Sequence, residues 1–400
     1  MKDQNSDKIS DKISRRDFLK ATVAGFSAFV SPTIINYLGK SSPSSDKEFL
    51  EIRNGNFYMG GEEYTIKGAN YQTRDYPWRM FKAYDPQQID KELGIAENFG
   101  INTVRVAFNY PYSTGQSKPY EKPVEDTEID EQYFENFRDF LGIADSHGIK
   151  VISIALNTIL WEFFDPKYHH LGNEYLENWL PEFADDERIL VWDVKNEPEI
   201  TQATFRREGK GGKYDVEAFT KKMSDKIKKL DPNHPVTIGL SDTIDTCPEG
   251  ANTPQSTFRK RVIESLSDYI DHEDFYSFHY YTHLKYFKTA VDKIKEQTDK
   301  PIVLQEFGLP TTGEKWKGED DQEWYYNEML ERVNRADLNG VMFWELNDHP
   351  EKLGKLDIPW GAVYDNPVQN DFADDFGILR TDYSKKPAAH VVQQYYKQIL

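Results

Sequence analysis

The stretch VWDVKNEPEI, from Val191 to Ile200, decides the fold of this chain and points to its chemistry. A run of apolar residues leads into Asn196, Glu197 and Pro198, which predicts a buried strand that delivers an amide and a carboxylic acid side by side at its end. Pro198 cannot donate to a strand ladder, so the strand stops there. Since a strand that merely ends could use glycine or asparagine alone, the Asn-Glu-Pro step indicates a functional position.

Seven further apolar runs accompany this one, and segments with helical spacing separate them. In chain order the eight runs are YTIKGAN (64–70), NTVRVAF (102–108), KVISIAL (150–156), ILVWDVKN (189–196), PVTIGLS (235–241), FYSFHYY (275–281), PIVLQEF (301–307) and GVMFWEL (340–346). Strands that alternate with helices form parallel sheets with right-handed crossovers, and a sheet of eight such strands closes into a barrel. The chain is therefore predicted to be an α/β protein, a single-domain (β/α)8 TIM barrel over residues 46–400.

Two additions to the barrel are predicted. Asn54-Gly55 and Gly60-Gly61 mark the turns of an N-terminal β-hairpin, and a long loop follows the eighth strand. An open doubly wound sheet is the alternative architecture. It is disfavoured because no G-x-G-x-x-G fingerprint follows the first strand.

Composition and charge restrict the partners of the protein. Its 400 residues are 14% aromatic and carry a formal net charge of -19. Phosphate binding requires clustered Lys and Arg, so we expect no nucleic-acid partner. The single cysteine, Cys247, excludes an intramolecular disulfide and a cysteine-based metal cluster, and the nine histidines lack the HExxH spacing of a zinc site. We therefore expect no metal.

The N-terminus resembles an export signal. SRRDFLK (14–20), followed by the apolar ATVAGFSAFV, is similar to the twin-arginine signal, and a flexible linker comes next. Residues 1–45 are predicted to be a signal peptide and linker that engage the twin-arginine export machinery. We expect the protein in the periplasm, at the cell surface or in the medium, with membrane contact only through the signal. Because no A-x-A cleavage site is clear, retention as an anchor stays open, and a basic amphipathic tail is the alternative.

Polar and aromatic side chains occupy the predicted strand ends, where the catalytic groups of a barrel lie. Two of them, Glu197 and Glu306, are carboxylic acids that we expect to face each other across one mouth. Paired carboxylates hydrolyse glycosides, because one can protonate the departing oxygen while the other attacks the anomeric carbon. Arg105 and Tyr281 could hold Glu306, and Asn196 could bind the sugar 2-hydroxyl. The residues at the strand ends are, in order, Asn70 and Tyr71, Arg105 and Asn109, Asn157, Asn196 and Glu197, Ser241, His279 to Tyr281, Glu306, and Trp344 and Glu345.

Four short motifs carry a resemblance to a known family. NEP, HYY, EFG and FWE, which end the fourth, sixth, seventh and eighth strands, resemble glycoside hydrolase family 5 over roughly residues 49–400. The resemblance implies retaining chemistry without a cofactor, with Glu197 as acid/base and Glu306 as nucleophile. It also implies a set of sugar-binding residues: Arg105, Asn196, His279, Tyr281 and Trp344.

The expected substrate is a β-linked polysaccharide or oligosaccharide. An endo-β-1,4-glycanase of the cellulase or mannanase kind is favoured. An exo-acting β-glycosidase (mannosidase or glucosidase) and a non-catalytic carbohydrate-binding barrel are the alternatives. Asn157 stands where many family members have a histidine and is kept as a candidate substrate ligand.

Several residues have competing interpretations. Glu345 is a rival nucleophile because it also ends a strand, although its neighbour Trp344 should point to the opposite face. The run NDFADDFG (370–377) resembles a calcium loop only in composition. Four loop aromatics could stack on sugar rings or simply pack within their loops: Trp78, Trp161, Trp360 and Tyr364.

Overall fold

The computed structural model describes most of the predicted barrel. The described residues are 48–116, 123, 125–241, 267–281, 283–312, 318–350 and 375–398. The predicted signal and linker, Cys247, and residues 351–374 with Trp360 and Tyr364 lie outside them, as does most of the 370–377 run. No helix within the described ranges is long and apolar enough to span a membrane.

Strands are found in all eight predicted positions and in the N-terminal hairpin. Twelve are described: β1 (Glu51–Arg53), β2 (Asn56–Met59), β3 (Glu62–Glu63), β4 (Ile66–Asn70), β5 (Thr103–Asn109), β6 (Lys150–Asn157), β7 (Ile189–Asp193), β8 (Val236–Thr237), β9 (Gly239–Leu240), β10 (Tyr276–His279), β11 (Ile302–Glu306) and β12 (Gly340–Phe343). β1 to β3 form a small antiparallel sheet. β4 to β12 form one parallel sheet.

The parallel sheet closes through its fifth predicted strand. Its order is β8-β7-β6-β5-β4-β12-β11-β10-β9, and β8 and β9 are two parts of one strand separated only by Ile238. β8 pairs with β7 and β9 pairs with β10, so this strand joins the two ends of the sheet. The strand is interrupted because the amide of Gly239 donates to the side chain of Asp193 (3.1 Å to Oδ1). The predicted (β/α)8 barrel is confirmed.

Helices connect the strands. Ten α-helices are described: α1 (Pro86–Phe99), α2 (Tyr110–Ser113), α3 (Glu131–Ser146), α4 (His169–Glu177), α5 (Pro198–Arg207), α6 (Val216–Leu230), α7 (Ser267–Ile270), α8 (Phe287–Lys295), α9 (Glu319–Ala336) and α10 (Pro387–Gln398). The side chain of Asp130 caps α3 by accepting from the amide of Tyr133 at 3.0 Å. Phe137, Phe140 and Ala144 recur at helical spacing and are buried against the barrel, and each buried phenylalanine contributes about 1.5–3 kcal/mol.

The inside of the barrel has an apolar layer and a polar layer. The apolar layer is a buried cluster of Leu50, Phe57, Ile66, Ile152, Leu190, Val191, Phe275, Val303 and Met342. Alternate residues of a strand point to the same face, so Asp193 follows Val191 into the interior and Gln305 follows Val303. Asp193 and Gln305 are fully buried, and they begin a polar layer nearer the carboxyl ends of the strands.

Candidate active site

Arg105 lies at the centre of the polar layer. Its Nε donates to Asp193 Oδ2 at 2.9 Å, and its Nη1 donates to Asn70 Oδ1 at 2.9 Å and to Glu306 Oε1 at 2.5 Å. The remaining nitrogen, Nη2, donates to Asn196 Oδ1 at 2.8 Å. Burial lowers the pKa of Arg105, but the charges of Asp193 and Glu306 outweigh this effect, and the pKa is raised. The guanidinium is therefore a fixed positive charge that orients an acid and an amide at the mouth.

The packing around Arg105 requires a glycine. A Cβ at Gly239 would lie 2.8 Å from Arg105 Nη2, 2.8 Å from Gln305 Oε1 and 3.0 Å from Asp193 Oδ2. Sequence reasoning missed Gly239, Asp193 and Gln305, because they lie one layer below the strand ends. The alternation along β7 could have identified Asp193, since an acid among the apolar residues of a buried strand needs a cationic partner.

Glu306 is the last residue of β11, and both of its carboxylate oxygens are occupied. Oε1 contacts Arg105, and Oε2 accepts a hydrogen bond from the Tyr281 hydroxyl at 3.0 Å. Burial, together with the charge of Glu306, raises the pKa of Tyr281 well above its usual value, so the phenol stays a donor. The structure thus brings together the three residues that were predicted to meet here.

Glu197 occupies the turn between β7 and α5. Its backbone is left-handed (φ 46°, ψ 56°), its amide donates to Gly239 O at 2.8 Å, and Pro198 begins the helix. Its Oε1 lies 2.9 Å from His279 Nδ1. Burial alone would raise the pKa of Glu197. The hydrogen bond and charge of His279 and the charge of Arg105 outweigh this effect, so the pKa of Glu197 is lowered.

His279 lies between the two acids. Its Nδ1 is 3.5 Å from Glu306 Oε2, and one ligand-type atom from each of Glu197, His279 and Glu306 lies within 4.8 Å of the others. Burial alone would lower the pKa of His279. The charges of Glu306 and Glu197 have the larger, opposite effect, so the pKa of His279 is raised. The imidazole therefore lies where it can exchange a proton with Glu197, 2.9 Å away. The same three residues could hold a metal ion, although a cation there would lie against the guanidinium of Arg105.

A register shift places His279 opposite Glu306. Phe278 pairs with Leu304, whereas His279 pairs with Glu306, so β11 has one extra residue at this point. Such bulges redirect side chains next to active sites. No sequence signal marks this shift.

Trp344 and Glu345 follow β12 and have different surroundings. Trp344 is half-buried, and its ring is inclined by 29° to that of Trp78, with 6.1 Å between the centroids. Both carboxylate oxygens of Glu345 are shielded from solvent, and Oε1 lies 3.2 Å from His349 Nε2. Glu345 could not reach a substrate without rearrangement, so it is a poor candidate for the nucleophile.

Asn157 and Trp161 lie at or after the end of β6. Asn157 is buried, and its Nδ2 donates to Asn109 Oδ1 at 2.7 Å. Trp161 is half-buried, with its ring edge-on to Phe205 and the Lys210 ammonium 4.7 Å from its centroid. Packing within the molecule therefore accounts for Trp161. The role of Asn157 as a sugar ligand stays a prediction.

A parallel barrel with paired carboxylates at its mouth is the arrangement of a glycoside hydrolase. Residues 61–350 match the model of the cellulase family (glycosyl hydrolase family 5), and the chain belongs to this family. The chain spans about three fifths (59%) of the length of one relative that it matches, the putative mannan endo-1,4-β-mannosidase 9 of Oryza sativa subsp. japonica.

Several known proteins are similar to this chain. Mannan endo-1,4-β-mannosidase 2 of Oryza sativa subsp. japonica is 24% identical over 326 residues, which cover 65% of this chain and 67% of the rice protein. The exo-β-1,4-mannosidase of Opitutaceae bacterium strain TAV5 aligns with a TM-score of 0.64 at 18% identity, covering 87% of this chain and 62% of that one. The endo-1,4-β-mannanase of Rhizomucor miehei aligns with a TM-score of 0.62 at 16% identity, and the alignment covers 87% of this chain and 98% of the Rhizomucor protein. These structures support the fold alone.

Proposed function

We propose that the protein is a retaining endo-β-1,4-mannanase in which Glu306 is the nucleophile and Glu197 is the general acid/base. The spacing of these acids carries the proposal, since one oxygen from each lies within 4.8 Å of the other. In retaining glycosidases the carboxyl groups are about 5–5.5 Å apart, whereas inverting enzymes need about 6.5–9.5 Å to admit a water. The short separation supports double displacement.

The reaction would proceed in two steps. An oxygen of Glu306 attacks the anomeric carbon while Glu197 gives its proton to the departing glycosidic oxygen, which forms a glycosyl-enzyme and frees the leaving sugar. Glu197 then takes a proton from water, whose oxygen attacks the same carbon and releases Glu306. The first step needs a proton on Glu197, and His279 Nδ1, 2.9 Å from Glu197 Oε1, is placed to exchange one with it when bound sugar excludes water.

Asn196 is suited to hold the sugar 2-hydroxyl. Because its Oδ1 accepts from Arg105 Nη2 at 2.8 Å, its amide orientation is fixed and its NH2 group remains to donate. Hydrogen bonds to the 2-hydroxyl strengthen in the transition state of glycoside hydrolysis. This supports the assignment of Asn196 as a substrate-binding residue.

Mannan is the proposed polymer because the rice relative is a mannan endo-1,4-β-mannosidase. An exo-acting β-mannosidase is the second candidate, and the exo-β-1,4-mannosidase among the similar structures favours it. Both candidates cleave the same linkage and differ in their products. A non-catalytic sugar-binding barrel is disfavoured, since binding alone does not require two acids with separate partners.

Product analysis tests the proposal. The purified chain is incubated with mannan, glucomannan, carboxymethylcellulose, mixed-linkage glucan and xylan, alongside Glu306→Gln, and products are separated by chromatography. A ladder of manno-oligosaccharides with the β-anomer formed first, absent in the variant, is expected. Mannose alone would indicate the exo-enzyme, the α-anomer first would exclude retention, and a ladder from another polymer would replace mannan as the substrate.

We also propose that the protein is exported by the twin-arginine route, which the SRRDFLK motif supports. Residues 1–45 fused to a reporter that folds before export should direct it out of the cytoplasm. Changing Arg15 and Arg16 together to lysine should retain the reporter inside. Export of the double variant at the normal level would contradict this route.

A further inference from the structure

A chain of hydrogen bonds leads from the end of β6 to the loop after β4. Asn157 Nδ2 donates to Asn109 Oδ1 at 2.7 Å, and Thr158 Oγ1 donates to the same oxygen at 3.1 Å. Asn109 Nδ2 in turn donates to the carbonyl oxygen of Trp78 at 2.9 Å. Because Asn109 accepts through its oxygen and donates through its nitrogen, its amide has one orientation, and the backbone at Trp78 is tied to β6.

The strands are adjusted to make this contact. Ala107 pairs with Ile154, but Asn109 pairs with Asn157, so a register shift between β5 and β6 brings the two asparagines opposite each other. Both asparagines are buried. Bulges are a common means of redirecting side chains beside active sites.

Trp78, at the far end of this path of hydrogen bonds, lies beside Trp344, which is a predicted sugar-binding residue. Its ring is inclined by only 29° to that of Trp344, and the centroid separation of 6.1 Å is too large for face-to-face stacking. Both tryptophans are half-buried. Two offset, nearly parallel rings at a barrel mouth offer an extended aromatic surface rather than a single ring.

We propose that Asn157 is a positioning residue that acts through Asn109 to hold Trp78 beside Trp344, and that Trp78 binds the sugar adjoining the one that is cleaved. The proposal rests on the proposed mannanase function and extends it, since it requires a substrate of at least two mannose units. It also assigns Asn157 an indirect role in place of direct sugar contact.

A double-mutant cycle tests this path. Asn157→Ala, Trp78→Ala and the double variant are assayed on β-1,4-linked mannohexaose and on β-mannosyl fluoride, whose one-atom leaving group confines it to the cleavage subsite. Each single variant is expected to raise KM for mannohexaose about tenfold with kcat changed less than about threefold, and to leave kcat/KM for the fluoride within about twofold. The double variant should resemble Trp78→Ala, because residues that act along one path are not additive.

Controls separate positioning from loss of fold. Asn157→Asp keeps the volume but removes the donor to Asn109, and it should reproduce the Asn157→Ala effect with an unchanged circular dichroism spectrum. Trp324→Ala, a change at an exposed tryptophan of α9, should leave KM for mannohexaose within about twofold.

Each other result has a defined meaning. Additive effects in the double variant, or an equal loss on the fluoride, would show that Asn157 contacts the cleaved sugar itself and would overturn the proposal. Wild-type KM values in every variant would overturn it as well. If the unmodified enzyme cleaves no manno-oligosaccharide, the mannanase function fails, which differs from an active enzyme with insensitive variants.

Discussion

Glu306 and Glu197 lie at the same end of the barrel, but their surroundings differ. Glu306 ends a strand, its side chain is 7% exposed, and fixed donors occupy both of its oxygens. Glu197 belongs to a turn, its side chain is 23% exposed, and His279 is its nearest ionisable partner. One acid is immobilised by a guanidinium and a phenol, while the other is left in contact with solvent and with a group that can exchange a proton.

This difference matches the two tasks of double displacement. A nucleophile gains from a fixed position and a stable charge, whereas an acid/base must lose a proton and regain it within each cycle. The environments therefore support the proposed roles independently of any family motif. Substitutions that remove or exchange these environments test that assignment.

The largest loss is expected for Glu306→Gln. The amide cannot form a glycosyl-enzyme, so kcat should fall by about 10⁴-fold or more on every substrate. Steady-state rates on mannohexaose and on aryl β-mannosides measure this. Residual activity above about one per cent would remove Glu306 from the reaction.

Glu197→Gln should lower kcat less than Glu306→Gln does, and the size of the loss should depend on the substrate. General acid–base catalysis contributes about 10²–10⁴-fold, and an aryl mannoside with a good leaving group does not need the acid in the first step. Added azide should restore turnover by attacking the glycosyl-enzyme and should give the β-mannosyl azide, identified by NMR. An equal loss on good and poor leaving groups, without rescue, would contradict the acid/base role.

Tyr281→Phe should have a smaller effect. It removes one of the donors to Glu306, and a hydrogen bond to a charged group is worth about 1.5–3 kcal/mol, which corresponds to about 10–100-fold in kcat/KM. Tyr280→Phe is the matched control, because the Tyr280 hydroxyl donates to His283 O at 2.9 Å, outside the site. Equal kinetic losses in the two variants would mean that the hydroxyl of Tyr281 has no special role.

Glu199→Gln is expected to have the smallest effect on catalysis and a measurable effect on stability. Glu199 lies in the first turn of α5 and is buried, and burial followed by the charge of Glu197 raises its pKa to about 8. Because folding raises the pKa of Glu199, the folded state favours the protonated carboxyl. The contribution of this group to the free energy of unfolding is therefore complete at acid pH and is lost as pH rises towards about 8. The glutamine side chain does not ionise, so the variant keeps its stability as pH rises. Relative to the wild type, its free energy of unfolding should increase by up to a few kcal/mol between pH 5 and 9.

Urea denaturation at several pH values measures this difference. Glu174→Gln, on the exposed side of α4, is the control and should show no pH-dependent gain. A Glu199→Gln curve parallel to that of the wild type across the pH range would mean that Glu199 is already ionised in the native protein.

The sequence predicted the outline of the site because barrel geometry brings all strand ends to one rim. Arg105, Glu306 and Tyr281 could be grouped without knowing any distance. The polar layer inside the barrel was missed, because Asp193 and Gln305 belong to no motif and are recognised only by the strand face on which they lie. The position of His279 between the acids could not be predicted, since it depends on a register shift between β10 and β11.

The fifth strand of the barrel is divided into β8 and β9, and we call this part of the sheet the seam. β8 and β9 contribute two residues each, whereas β5 and β6 have seven and eight residues and form a longer ladder. Local opening is favoured where the ladder is short. Since the amide of Glu197 donates to Gly239 O in this seam, partial opening would release the proposed acid/base before the helices unfold. Heat should therefore inactivate the enzyme at a lower temperature than it melts the fold, and exchange of the Glu197 amide proton with solvent should accompany the loss of activity.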